Sequence, residues 1–174
     1  MYERLRDLVK RNVAPFQHIF EADYVLNAFL MVFTHLRTQP GRSMDTASWL
    51  MNDMDTRGQD PAERIVRPTA RTWTIYMHGY TVRGEMQAAE RVLETMRERG
   101  LAPLQTTWEE LIYGYARKSK AREAMDALDR MQADGFTPDR LTSEALSRLN
   151  LPIIHRTGWQ GFEGREQDGL IARG

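Results

Sequence analysis

At 174 residues, 41% hydrophobic and 9% aromatic, the chain has the length of one domain and enough apolar mass for a packed core rather than a disordered tail. Its 24 basic and 24 acidic side chains cancel, which argues against a protein that holds nucleic acid by overall positive charge and leaves a local patch as the route to it. The absence of cysteine excludes disulfides, thiolate metal sites and a cysteine nucleophile, and suits a reducing compartment; no apolar run approaches the roughly 20 residues of a membrane-crossing helix.

Residues 1–11 are amphipathic and basic. A mitochondrial presequence shares that character but is usually Ser-rich and poor in acids; Glu3 and Asp7 count against it, and a structural helix is predicted. Asn12-Val13-Ala14-Pro15-Phe16 copies Gly100-Leu101-Ala102-Pro103-Leu104, with Asn in place of Gly as the left-handed residue. Residues 1–16 therefore read as a half-unit, the second helix of a pair whose first is missing, and the chain is expected to be a fragment of a longer protein or a trimmed one. Next, Leu26, Phe29, Leu30 and Phe33 fall at helical spacing and form the apolar stripe of a first helix. Ala47, Leu50, Met51 and Met54 form the face of a second, closed by Gly58 and Pro61. This unit, residues 23–69, is degenerate: it carries extra residues around Thr38–Ser43 and around Ala62–Arg67, where loops are expected.

Residues 70–104 and 105–139 then say nearly the same thing twice, 35 residues apart. They match at Thr72/Thr107, Trp73/Trp108, Gly79/Gly114, Tyr80/Tyr115, Ala89/Ala124, Leu93/Leu128, Met96/Met131, Gly100/Gly135 and Pro103/Pro138. A fixed period of this size marks units that bury their apolar faces only against their neighbours. In each first helix, Trp73, Tyr76, Met77 and Tyr80, or Trp108, Leu111, Ile112 and Tyr115, make one stripe, read as core rather than as base-stacking platforms. Gly79 and Gly114 sit inside these helices at a cost of about 1 kcal/mol against alanine, which points to close approach of a neighbouring helix. Thr107-Trp108-Glu109-Glu110 has the form of a capping box with Thr107 at the N-cap. Gly100 and Gly135 are placed to take the left-handed conformation that ends the second helices, and Pro103 and Pro138 stop any continuation.

Residues 140–151 begin another first helix, but Ser143, Ser147 and Asn150 occupy its stripe, as a terminal cap requires, and Pro152 ends it. The tail, residues 152–174, is rich in glycine and expected to be extended or mobile; Trp159 and Phe162 either fold back on the last hairpin or form a docking peptide. The predicted architecture over residues 1–151 is all-α, a right-handed α-solenoid of stacked αα-hairpins.

Thr-Trp, two large residues, Gly-Tyr, an Ala opening the second helix, Met near its end and Gly-x-x-Pro after it, all on a 35-residue period, resemble the pentatricopeptide repeat (PPR) family. The tetratricopeptide repeat, with a period of 34 residues and no such ending, is the weaker match. The resemblance implies an organellar, here mitochondrial, array that binds single-stranded RNA or a ribonucleoprotein. Its first helices would line a concave groove, and each base would be read by a residue early in the first helix together with the last residue of the unit. Carried onto this sequence, those pairs are Asn27 with Thr69, Thr74 with Leu104, and Glu109 with Asp139, flanked by Arg71 or Thr106. The sequence departs from the pattern: Leu104 cannot hydrogen-bond a base, Glu109 and Asp139 repel a polyanion, and positions 71 and 106 hold Arg and Thr instead of an aliphatic residue.

Arg117, Lys118, Lys120 and Arg122, with Arg83 at the matching edge of the preceding unit, either contact phosphates or decorate a solvated turn. Arg71, Thr74, His78, Thr106, Glu109 and Tyr113 are expected to face the groove, a mixed set that suits a peptide at least as well as RNA. The four histidines are scattered with no metal-ligand spacing, so no metal site is predicted. No phosphate loop, nucleophile elbow, acid–base pair or cofactor motif is present, so no cofactor and no enzyme activity are predicted. Two functional classes follow: a non-enzymatic RNA- or ribosome-associated repeat protein of organellar gene expression, or a protein-binding scaffold or assembly factor using the same surface. Either would be a monomeric array within a larger assembly or a longer chain.

Overall fold

A computed structural model describes residues 1–14, 18–35, 42–60 and 65–149. These hold eight α-helices and no strand: α1 Tyr2–Lys10, α2 Asp23–His35, α3 Arg42–Arg57, α4 Ala70–Arg83, α5 Met86–Glu98, α6 Gln105–Arg117, α7 Ala121–Ala133 and α8 Arg140–Ser147. The tail with Trp159 and Phe162, Pro61, and most of the two expected insertions lie outside the described residues.

The helices stack as the period requires. Each of α2, α4 and α6 packs on the second helix of its own pair, α3, α5 and α7 respectively, and on the next first helix, so that α2, α4, α6 and α8 form one layer. Each second helix also touches the first helix of the following pair. This is an α-solenoid whose core runs between its two layers. Leu26, Leu30, Met77, Trp108, Leu111 and Ile112 enter that core from the first helices, and Ala89, Leu93, Met96, Ala124, Leu128 and Met131 from the second. The Trp, Met and Leu stripe residues are therefore packing groups. Helix α1 joins the stack through Tyr2, whose hydroxyl donates to buried Asp53 at 2.8 Å and whose ring meets Trp49 and Phe29 edge-on.

The helix ends follow the sequence expectation in part. Asn12 (φ 54°), Gly100 (φ 73°) and Gly135 (φ 87°) are left-handed, and the two glycines have open space around them, so backbone conformation rather than crowding demands glycine there. Gly79 and Gly114 answer to crowding. A Cβ on Gly79 would lie 2.8 Å from Thr34 Cγ2 in α2, and one on Gly114 would lie 3.3 Å from Thr81 Cβ in α4. The first helices therefore meet closely at these two points.

The expected capping box at Thr107 is a correction. α6 starts at Gln105 with Leu104 as its N-cap, and Thr107 sits three residues in, accepting the Leu104 N–H at 3.0 Å. Glu110 does not cap the helix, because it is drawn across the packing seam to His78 and Thr81 of α4. The arrangement recurs: Thr69 caps α4 and Asp139 caps α8, with Thr72 and Thr142 at the position of Thr107.

Candidate binding face

The first-helix layer carries nearly every residue singled out for binding, and the stacking register decides which of them are accessible. Contacts between successive first helices do not run from a residue to its counterpart in the next unit. They run to a position two to four residues earlier: Thr34 with Gly79, Thr74 with Thr107, Thr81 with Gly114, His78 with Glu110.

That offset alters the reading pairs. Thr74 is only 8% exposed and lies in a relay in which the Leu104 N–H donates to Thr107, the Thr107 hydroxyl to Thr74 at 2.7 Å, and the Thr74 hydroxyl to the Ala70 carbonyl at 2.9 Å. Asn27 is 5% exposed, and neither polar atom of its side chain has a hydrogen-bond partner among the described residues. Thr74 thus lies in the seam between α4 and α6, and Asn27 is buried.

The last residues of the units, Thr69, Leu104 and Asp139, are all N-caps. Thr69 accepts the Thr72 N–H and donates to Asp23 at 3.1 Å. Asp139 accepts the Thr142 N–H at 2.7 Å, and this bond with Thr142 holds its carboxyl below the usual aspartate range. Leu104 is 38% exposed and offers no polar group. Of the three pairs, Glu109 with Asp139 alone has both members partly exposed, and Glu109 accepts from Gln105 at 2.9 Å. Between them lies Tyr113, whose phenol is pushed up by burial and by the carboxylates of Asp139, Glu109 and Glu110, although its bond with Thr142 works the other way. Arg71 and Thr106 are exposed.

The phosphate candidates divide. Arg83 donates to the carbonyls of Thr34 (2.9 Å) and Gly79 (2.6 Å), so it ties the ends of α2 and α4 together. Lys120 lies 3.5 Å from Glu123. Arg117 and Lys118 are exposed and make no hydrogen bond or ion pair with the described residues; the Lys118 stem lies over Gly84.

A row of polar groups crosses this face that the spacing of the residues in the chain conceals. His35 of α2 meets His78 of α4, Nε2 to Nε2, at 3.3 Å, and His78 Nδ1 donates to Glu110 of α6 at 2.8 Å, where Thr81 also donates. Burial pushes the Glu110 carboxyl up, but its bonds to His78 and Thr81 and the charges of His78 and Arg117 outweigh that and hold it low. The histidines are 43 residues apart and read as scattered. The available signal was the register: His35 stands four residues past Met31, the counterpart of His78, and adjacent first helices meet at such an offset.

The fold defines a class, an α-helical repeat array whose first helices form one layer. The model of the PPR repeat matches residues 71–101 and 106–136, so these two units are pentatricopeptide repeats. Among solved structures it is similar to the PPR domain of Arabidopsis thaliana protein-only RNase P 1, crystallised in complex with tRNA (TM-score 0.59, 18% identity, covering 84% of this chain and 68% of that one). It is also similar to the pentatricopeptide repeat protein PPR10 from maize (TM-score 0.56, 18% identity), covering 82% of this chain and only 20% of that protein. No curated protein sequence matches the chain.

Proposed function

We propose that this protein binds single-stranded RNA, free or within a ribonucleoprotein such as a ribosome, along its first-helix face, without catalysing a reaction. The observation that carries this reading is the pair of matched repeats, stacked so that their first helices form one continuous layer edged by Arg117 and Lys118. Similarity to a PPR domain crystallised with tRNA supports it. Because Asn27 and Thr74 are covered and Leu104 is apolar, binding rests on phosphate contacts that position the strand rather than on reading its bases. We further propose, on the strength of the family resemblance, that it acts in organellar gene expression, in the mitochondrion. Fluorescence anisotropy with a labelled single-stranded RNA at low salt tests the proposal. Binding that weakens steeply with salt and varies little with sequence is expected. No retention at low salt abandons direct RNA binding.

A second reading is favoured by one observation. Glu109 and Asp139 flank Tyr113 on the face that the RNA would occupy, and two carboxylates oppose a polyanion there. A scaffold or assembly factor that holds a protein segment would accommodate them. A pull-down from mitochondrial extract separates the two: nuclease-resistant partners support the scaffold, nuclease-sensitive ones the RNA.

A further inference from the structure

We infer that His35 and His78 form a two-histidine site for a divalent first-row transition-metal ion, zinc foremost. The argument starts from where the ring protons must be. His35 Nδ1 lies 2.8 Å from the Met31 carbonyl, which can only accept, so that nitrogen carries hydrogen. His78 Nδ1 lies 2.8 Å from a carboxylate oxygen of Glu110, an acceptor, so that nitrogen carries hydrogen as well. In the neutral rings each Nε2 is then a bare lone pair. The two Nε2 atoms then approach to 3.3 Å with no hydrogen of their own to place between them. A cation resolves that conflict.

The geometry suits a metal ion. Zinc–nitrogen bonds of about 2.0–2.1 Å at a tetrahedral angle place two ligating nitrogens about 3.3–3.4 Å apart. The observed separation is 3.3 Å, and the ring centroids are 5.0 Å apart with planes tilted by 30°, closer than two rings meeting head-on would stand. The supporting shell also fits. Metal-binding histidines usually donate their other ring N–H to a carboxylate or a backbone carbonyl, and here there is one of each. The two ligands come from α2 and α4, so a bound ion would join adjacent units of the array. No group of three or more His, Cys, Asp or Glu is arranged for a metal among the described residues. The remaining coordination positions are therefore open to water or to an oxygen or nitrogen brought by a partner. Imidazole ligands select zinc, copper or nickel over magnesium or calcium.

The test is calorimetric titration of the purified chain with zinc chloride alone at pH 7.5, run on the wild type, His35→Asn, His78→Asn, Glu110→Gln, and His18→Asn and His155→Asn as controls. Circular dichroism first establishes that each variant is folded. One-to-one saturable binding is expected in the wild type and both controls. It should be lost in His35→Asn and in His78→Asn, and weakened about tenfold in Glu110→Gln, where the carboxylate behind the ligand is replaced by a neutral amide. Histidine side-chain nitrogen spectra give a second readout that a purely structural role would not move. One equivalent of zinc should shift Nε2 of both His35 and His78 while each Nδ1 keeps its proton. Absence of saturable binding, undiminished binding in either single histidine variant, or spectra showing a proton shared between the rings that zinc leaves in place would each overturn the site.

Discussion

Gly79 and Gly114 occupy one position of the repeat, yet alanine should affect them differently. Replacing glycine inside a helix gains about 1 kcal/mol from backbone propensity alone. At Gly79 that gain meets a rigid neighbour. The new methyl would stand 2.8 Å from Thr34 Cγ2 and 3.0 Å from Thr34 Cβ, with Met44 Sδ also at 2.8 Å. Met44 can swing away. Thr34 is β-branched, buried and held by its hydroxyl on the Met31 carbonyl, so relief requires α2 to move. Overpacking of this kind costs about 1–3 kcal/mol; with a cost near the top of that range, because α2 itself must move, Gly79→Ala is destabilised by up to about 2 kcal/mol after the propensity gain. In a chain of this size that lowers the midpoint of thermal unfolding by up to about 8 °C. At Gly114 the contacts under 3 Å are Sδ and Cε of Met86, the far end of a flexible side chain, and Thr81 Cβ stands at 3.3 Å. Gly114→Ala should therefore stay within about 0.5 kcal/mol of the wild type, since rearranging Met86 and the propensity gain nearly cancel. Urea and thermal melts followed by circular dichroism measure both. A Gly79→Ala protein more stable than wild type, or a greater loss at Gly114 than at Gly79, would refute the account of first-helix contact given above.

Asp139→Ala removes the N-cap of α8 and should cost about 1 kcal/mol at neutral pH. Because the Asp139 carboxyl is held below its ordinary value in the folded state, its contribution is present above the ordinary aspartate pKa and lost as pH falls through the lowered one. The gap between wild type and variant should close in melts taken at acid pH, and a gap that persists or widens there contradicts the capping role. Asn27→Leu replaces a buried amide whose two polar atoms lack partners among the described residues, and should raise stability by about 1–2 kcal/mol in denaturant titration; a loss of stability would mean that the amide is satisfied after all. Arg117→Ala combined with Lys118→Ala should weaken RNA binding at low salt about equally for every sequence and lower the salt slope by about 2. An unchanged slope would remove both residues from the interface.

The local events along this chain were legible because each is decided within a few residues. Asn12, Gly100 and Gly135 take left-handed conformations that the residue type itself favours, and the Trp, Met and Leu stripes mark a buried face by spacing alone. The 35-residue period determined that hairpins would stack, since a unit with one apolar face has only its neighbours to bury it against. The offset at which the first helices meet was not legible, because it depends on which side chains interlock across the seam. That offset moved Thr74 from an open groove into the packing, drew Glu110 from a helix cap to His78 and Thr81, and anchored Arg83 on two backbone carbonyls. It also brought together His35 and His78, whose meeting rests on two helices lying side by side with a one-turn stagger, a relation that no stretch of the chain encodes locally.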